Sequence, residues 1–289
     1  MRIAGREVVE ARRVPGGDIN DAQRATLDDG TVVFVKTRAD AAPGEYATEA
    51  AALRWLAEPG ALAVPEVVDV ADDFLALEWL EEGRLDEAGE EELGRGLARV
   101  HAAGAPRFGA SPPGVPGDVA TSAADAARRE APPLRLGPLL LPNEPAPDWP
   151  AFYAQRRLVP LLERARLGGS GVAAVEAVCS RIHDLAGPQE PPARLHGDLW
   201  SGNVLASGGR PYLIDPAAYG GHREVDLAML RLFGSPGPRF LAAYEEVAPL
   251  ADGHEDRVAL YQLFPLLVHA ALFGGGYAAS VERAARRYA

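Results

Sequence analysis

The chain has a single cysteine, Cys179, in 289 residues, so neither an intrachain disulfide nor a thiolate metal cluster can form. A run of about 20 apolar residues, the length needed to span a bilayer, is also missing. The most apolar stretch, Ala259 to Phe273, is interrupted by Gln262, Pro265 and His269 and reads as a buried helix. Met1 to Glu7 lack the apolar core of a signal peptide, which fits a cytoplasmic protein. Basic surplus is absent too. The net charge is −12 at pH 7, so nothing offsets phosphate repulsion, and neither nucleic acid nor a membrane is expected as a partner. Lysine is nearly absent: of 29 basic residues, all but Lys36 are arginine. A lone lysine in an arginine-biased chain marks a place where a compact, mobile ammonium is required and a planar guanidinium does not fit; chance survival is the alternative.

What is present is ordinary globular material, 47% hydrophobic and 24% charged, in a chain long enough for two lobes. Val8 to Arg12, Ile19 to Leu27 and Thr31 to Lys36 read as strands, separated by turns at Pro15-Gly16-Gly17 and Asp28-Asp29-Gly30. Glu45 to Glu58 reads as a helix stopped by Pro59-Gly60, and Glu66 to Val70 and Phe74 to Trp79 as two more strands. Beyond Gly83 the pattern turns helical, over Glu87–Ala103, Ala151–Arg166, Val172–Ala186, Val225–Phe233, Arg239–Val247 and His254–Phe273. Short strands are expected over Asn203–Ala206 and Pro211–Ile214, and residues 104–150, dense in Pro and Gly, read as an irregular insertion. The expected fold is α+β and bilobal: residues 1–80 form a small antiparallel sheet with one helix, and residues 81–289 a larger, mainly helical lobe.

The strongest chemical signal is the string from Leu195 to Asn203, Leu-His-Gly-Asp-Leu-Trp-Ser-Gly-Asn, followed by Tyr212-Leu213-Ile214-Asp215-Pro216. Phosphoryl transfer asks little covalent help of a protein. It needs a carboxylate to receive the hydroxyl proton and oxygen ligands for magnesium on the phosphates. Asp198 and Asn203 stand five apart, as base and metal-binding Asn do in a kinase catalytic loop, and Asp215 closes an apolar strand, where the kinase metal-binding Asp sits. Asn occurs only at positions 20, 143 and 203, so its place at this offset is informative. A glycine-flanked turn would explain Asp198 or Asn203 singly, but not the three residues in this order. Upstream, Lys36 after Val33-Phe34-Val35 suits a phosphate-holding lysine, with Glu49 in the next helix as its partner and Glu45 as the rival. Gly16 and Gly17 would cover the phosphates, though a Gly-Gly turn more often just joins strands. Glu78, Trp79 and Leu80 would receive adenine on their backbone groups. Asp226 would brace the catalytic loop, and His101 and His196 read as satisfied structural histidines. No His/Cys cluster suggests zinc and no Gly-x-Ser-x-Gly a hydrolase.

At these residues the chain resembles the fructosamine kinase (ketosamine 3-kinase) family, relatives of aminoglycoside and choline kinases with a protein-kinase-like fold. The pieces that carry the likeness include Pro15 to Asn20, Phe34-Val35-Lys36-Thr37, Leu97 to His101 with Phe108-Gly109, and His196 to Asn203. Asp215-Pro216-Ala217, Gly221 to Leu230 and Leu272 to Gly275 continue it, so it covers nearly the whole chain. The resemblance implies transfer of phosphate from ATP to the C3 hydroxyl of a ketosamine, free or protein-bound, giving an unstable product whose breakdown frees the glycated amine. It further implies Asp198 as base, Asn203 and Asp215 as Mg2+ ligands, Lys36 with Glu49 on the phosphates, and Trp200 and His269 against the substrate. Departures exist. Asp18 stands where many relatives carry a cysteine, which excludes a thiol switch there, and Val268-His269 stands where Asn-His is common. An aminoglycoside- or choline-type kinase is the enzymatic alternative, and an inactive nucleotide-binding scaffold the non-enzymatic one. A monomer or weak dimer is expected.

Overall fold

The computed structural model describes residues 1–14, 21–116, 132–234 and 236–289. Six strands form the first half: β1 (Arg2–Ile3), β2 (Arg6–Arg13), β3 (Asp21–Leu27), β4 (Val32–Thr37), β5 (Val67–Val70) and β6 (Phe74–Glu78). They join in one sheet of order β1-β2-β3-β4-β6-β5, every neighbour antiparallel. Alternation along the strands sorts the side chains onto two faces. Val33 and Val35 pack with Ile3, Ala25, Leu27, Phe74 and Ala76 on one side. Phe34, Leu75 and Leu77 meet Tyr46, Ala50 and Leu53 of helix α1 (Glu45–Ala57) on the other. Lys36 has the parity of Phe34, so it projects toward α1 and the cleft. The sheet thus decides which way the lone lysine points.

Helix α2 (Glu87–Ala102) opens the helical half. Asp86 caps it by accepting the N–H of Gly89 at 2.9 Å. It lies against the helix Pro238–Val247 at Gly94, where an added Cβ would sit 2.2 Å from the Phe240 carbonyl oxygen. Leu93 and Leu97 of α2, Leu199, Leu213, Leu227 and Phe240 share one core. A second core gathers Trp149, Tyr153, Leu195, Tyr219, Tyr261, Phe264 and Leu267. The halves are stitched by hydrogen bonds from Leu213 N to Ala63 O (2.9 Å) and from Gly83 N to Ala206 O (2.8 Å). Among the described residues no helix is long and apolar enough to cross a membrane.

Several expected elements differ. Residues 104–150 are not wholly irregular, because Leu134–Leu136 and Leu139–Leu141 pair as a hairpin that buries Leu134, Leu136, Leu139 and Leu141. The helix expected from Ala151 is a composite of Trp149–Phe152, a π-turn Tyr153–Leu158 and Val159–Leu162. The π-turn carries the fully buried Arg157, whose guanidinium packs on the rings of Phe152 and Tyr219 and donates to Asn143 Oδ1 at 2.6 Å. The helix expected over His254–Phe273 breaks at Gln262 into His254–Tyr261 and Leu263–Phe273, placing Pro265 in the first turn of the second piece, where its missing N–H costs nothing. Strands Ala193–Leu195 and Tyr219–Gly221, which pair on either side of the catalytic-loop string, and the final helix Tyr277–Ala285 had no expectation.

Candidate active site

The loop from His196 to Asn203 is held by three independent ties. Asp226, in the helix Glu224–Leu230, accepts the backbone N–H of His196 (2.7 Å) and of Gly197 (3.0 Å). Its Oδ2 also meets His101 Nε2 at 3.2 Å, and His101 Nδ1 in turn lies 2.8 Å from the Tyr244 hydroxyl. His196 is the second tie. Burial depresses its pKa, so the ring is neutral; Nε2–H donates to the Ile214 carbonyl (2.9 Å), leaving Nδ1 to accept the Asp198 N–H (3.3 Å). One imidazole therefore joins the residue before Asp215 to Asp198. The third tie is Gly197, at φ 83°, where a Cβ would sit 2.0 Å from the Ala217 carbonyl oxygen. No other residue fits there.

Within this frame the side chains named from the sequence converge. Lys36 Nζ lies 2.7 Å from Glu49 Oε1 and hydrogen-bonds Asp215 Oδ1. Glu45, the rival, instead binds Arg38 at 2.8 Å. Burial opposes the Lys36 charge, but the two carboxylates outweigh it and raise its pKa above the ordinary value. Asp215 stands at φ 54°, in the left-handed region that a non-glycine residue adopts at a cost. Asn203 donates from Nδ2 to the Asp198 carbonyl oxygen (2.8 Å) and carboxylate (3.3 Å). Its Oδ1 has no partner among the described residues. Burial, then the charge of Asp215, pushes the Asp198 carboxyl up to about 6, against a hydrogen bond from Asn203 that lowers it. A carboxyl with that pKa is poised to accept a proton near neutrality.

Glu78 is the last residue of β6, and Trp79 and Leu80 follow it, where Trp79 Nε1 donates to Glu81 Oε1 at 2.6 Å. Gly16 and Gly17 lie outside the described residues. Trp200 is not a core residue. It is 40% exposed, its ring covers Gly202, and its edge meets Phe233 at 6.3 Å between centroids. Phe233 stacks near His269 (4.7 Å), which also faces Phe273 and Tyr277. An aromatic wall thus runs from the catalytic loop to the last helices. Phe233, Phe273 and Tyr277 were not legible as site residues, because Phe233 lies at least 40 residues before the other two in the sequence; the only hint is that Phe273 and Tyr277 flank Gly274-Gly275-Gly276. His269 donates from Nδ1 to the Pro265 carbonyl (2.8 Å) and is kept neutral by burial, which leaves Nε2 as an acceptor.

A buried lysine paired to a helix glutamate, a loop carboxylate and a strand-terminal carboxylate on a two-lobed scaffold define a phosphotransferase of the protein-kinase-like class. The fructosamine kinase family model matches residues 2–120 and 134–288, and the chain belongs to that family. A probable ketoamine kinase of Thermus thermophilus is 38% identical, the alignment covering 98% of this chain and 96% of that one. The crystal structure of a putative fructosamine-3-kinase from Thermobifida fusca superposes with a TM-score of 0.86 at 41% identity, over 99% of this chain and 95% of that one. The choline kinase LicA from Streptococcus pneumoniae shares the fold alone, at TM-score 0.61 and 18% identity over 98% of this chain and 94% of the other.

Proposed function

We propose that the protein transfers the γ-phosphoryl group of magnesium-ATP to the C3 hydroxyl of a ketosamine, as a step of deglycation repair. The observation that carries this reading is Asp198. Its carboxyl is pushed up to about 6 and held by Asn203, on a loop that Asp226 and His196 tie to Asp215. Asp198 accepts the sugar hydroxyl proton as the new O–P bond forms and the bond to the leaving β-phosphate oxygen breaks. Lys36, fixed by Glu49, would hold the α- and β-phosphates.

The donor set fits a magnesium ion. The Asp215 carboxylate and the unengaged Asn203 Oδ1 are oxygens, and two protein ligands suffice for an ion that takes its remaining ligands from phosphate and water. Among the described residues no group of three His, Cys, Asp or Glu side chains could hold a metal by itself. Magnesium would neutralise charge developing on the transferred group. Trp200 and neutral His269 would bound the ketosamine, the indole against the sugar and Nε2 accepting from a hydroxyl or the secondary ammonium.

The test is a coupled ADP-release assay with magnesium-ATP and four acceptors: a fructosamine, a ribulosamine, choline and an aminoglycoside. Turnover on a ketosamine, lost in Asp198→Asn, is the expected outcome. Turnover only on choline or the aminoglycoside would retain the phosphotransfer and reject the ketosamine. NMR of the product fixes the position of phosphorylation, and a phosphate anywhere but C3 would overturn that assignment.

A further inference from the structure

Arg24 is a cation whose side chain has no anionic partner among the described residues. It sits in the middle of β3, directly opposite Phe34 of β4, which is itself opposite Leu77 of β6. Cross-strand partners share a face, and Ala22 of β3 is opposite Lys36. Arg24 therefore lies on the face that carries Lys36, one cross-strand row nearer the rim. Its guanidinium carbon is 5.3 Å from the centroid of the Trp79 ring. Among the described residues its side chain has neither a hydrogen bond nor an ion pair, although the molecule carries 41 acidic residues and most of its other half-buried arginines are salt-bridged. The side chain reaches across β4 to the segment Glu78–Leu80 and rests on an indole.

The register supplies a distance. Lys36 is opposite Leu75 and Val33 is opposite Glu78, so three residues separate the lysine row from the row where β6 ends. At about 3.4 Å per residue that is about 10 Å, the span from a purine edge to its α-phosphate. A nucleotide with its phosphates at Lys36 and its base at Glu78–Leu80 must pass beneath Phe34 and Arg24. Trp79 already shows what the guanidinium prefers there, a flat π face. We infer that Arg24 is the base-clamping residue of the nucleotide site, stacking its guanidinium plane on the purine and so setting affinity and preference for the base. This rests on the kinase reading above. It adds a residue that the sequence motifs do not mark, because in a strand of alternating polar and apolar residues an arginine reads as solvated surface.

The experiment is calorimetric binding of magnesium-ATP and of magnesium-tripolyphosphate to the wild type, Arg24→Met and Arg24→Lys. Methionine keeps the length and apolar stem while removing charge and plane, and the half-buried side chain leaves no ion pair broken among the described residues, so folding is preserved; circular dichroism checks this. The expected result is an ATP dissociation constant raised about five- to thirtyfold in Arg24→Met, little recovery in Arg24→Lys, and tripolyphosphate binding unchanged in both. ATP affinity within twofold of wild type in Arg24→Met overturns the inference. An equal loss for ATP and tripolyphosphate also overturns it, by moving Arg24 from the base to the phosphates. A wild type that binds no ATP overturns the kinase reading and this inference together.

Discussion

Lys36 is the only lysine among 29 basic residues, and the geometry shows what an arginine there would have to do. One nitrogen serves Glu49 and Asp215 at once in a site 6% exposed. A guanidinium is larger and flat, and its donors diverge from the carbon that joins them, so it cannot place one atom between two carboxylates. Lys36→Arg is expected to lower kcat/KM for ATP by at least about a hundredfold (~3 kcal/mol) while the protein remains folded, as read by steady-state kinetics and circular dichroism. Activity within tenfold of wild type would show that charge alone suffices. Asp198 offers the complementary test. A carboxyl whose pKa rises from 3.8 to about 6 on folding binds its proton more tightly in the native state, so its ionisation costs native stability as pH rises through that window. Above pH 6 the penalty is complete. Asp198→Asn removes it, and should raise the stability of the nucleotide-free protein at pH 7 by about 1–3 kcal/mol while abolishing turnover. The gain should vanish toward pH 4; an equal or lower urea midpoint at pH 7 would mean the carboxylate is well solvated. Both residues were legible from sequence because each sits in a fixed-offset string. Arg24 and the aromatic wall were not, because strand register and segments far apart in sequence bring them to the cleft.

Element by element, legibility followed length. Helices of three or more turns such as Glu87–Ala102 showed their periodicity, and β4 its apolar run. The three-residue strands Ala193–Leu195 and Tyr219–Gly221 offer a single alternation each, too little to recognise, yet they frame the catalytic loop. Leu134-Arg135-Leu136 and Leu139-Leu140-Leu141 were hidden by the prolines around them. The π-turn at Tyr153–Leu158 leaves no periodic trace, because one extra residue per turn shifts the apolar face only after Arg157 has been buried. The contact of α2 with Pro238–Val247 gives a test of packing at this scale. Alanine is the better helix former by about 1 kcal/mol, so Gly94→Ala should stabilise α2 in isolation. In the folded protein its Cβ would lie 2.2 Å from the Phe240 carbonyl oxygen and 3.0 Å from the Tyr244 nitrogen, backbone atoms that cannot step aside. The clash wins, and the variant is expected to lose ~1–3 kcal/mol in urea denaturation. A neutral or stabilising result would place the two helices farther apart than described. Because Tyr244 ends the chain through His101 to Asp226 and the catalytic loop, the same variant should also lower kcat.

At the scale of the whole molecule, the stability of the native state carries two opposing proton terms. His222 is buried, stacked on Tyr261 with ring centroids 5.3 Å apart and beside Trp149. Burial holds its pKa down to about 4; Glu190, with Oε2 3.7 Å away, pulls upward, while Arg223 and Arg257 push down. The unfolded chain takes up the proton near 6.5, so between pH 6.5 and 4 it binds more protons than the native state, and stability falls as pH falls through that window. Glu190, whose carboxyl is held below its ordinary range by Arg223, His222 and Arg257 against burial, has the same sign at lower pH. Asp198 has the opposite sign over 3.8 to 6, so the wild-type profile should be shallower than either group alone would give. The terms separate by substitution. His222→Phe keeps the stack, loses the hydrogen bond from the Glu224 N–H, and is expected to cost about 1 kcal/mol at pH 7. As pH falls from 6.5 to 4.5 its stability should then rise rather than fall, because no buried imidazole remains to charge and the Asp198 term is left unopposed. In the Asp198→Asn background the His222 term stands unopposed, and the loss on acidification should steepen. Urea midpoints of the wild type, the two single variants and the double variant at pH 7, 5.5 and 4.5 decide the matter. If the slopes of wild type and His222→Phe are parallel, His222 titrates alike in the folded and unfolded chain, and the buried cluster around it is open to water.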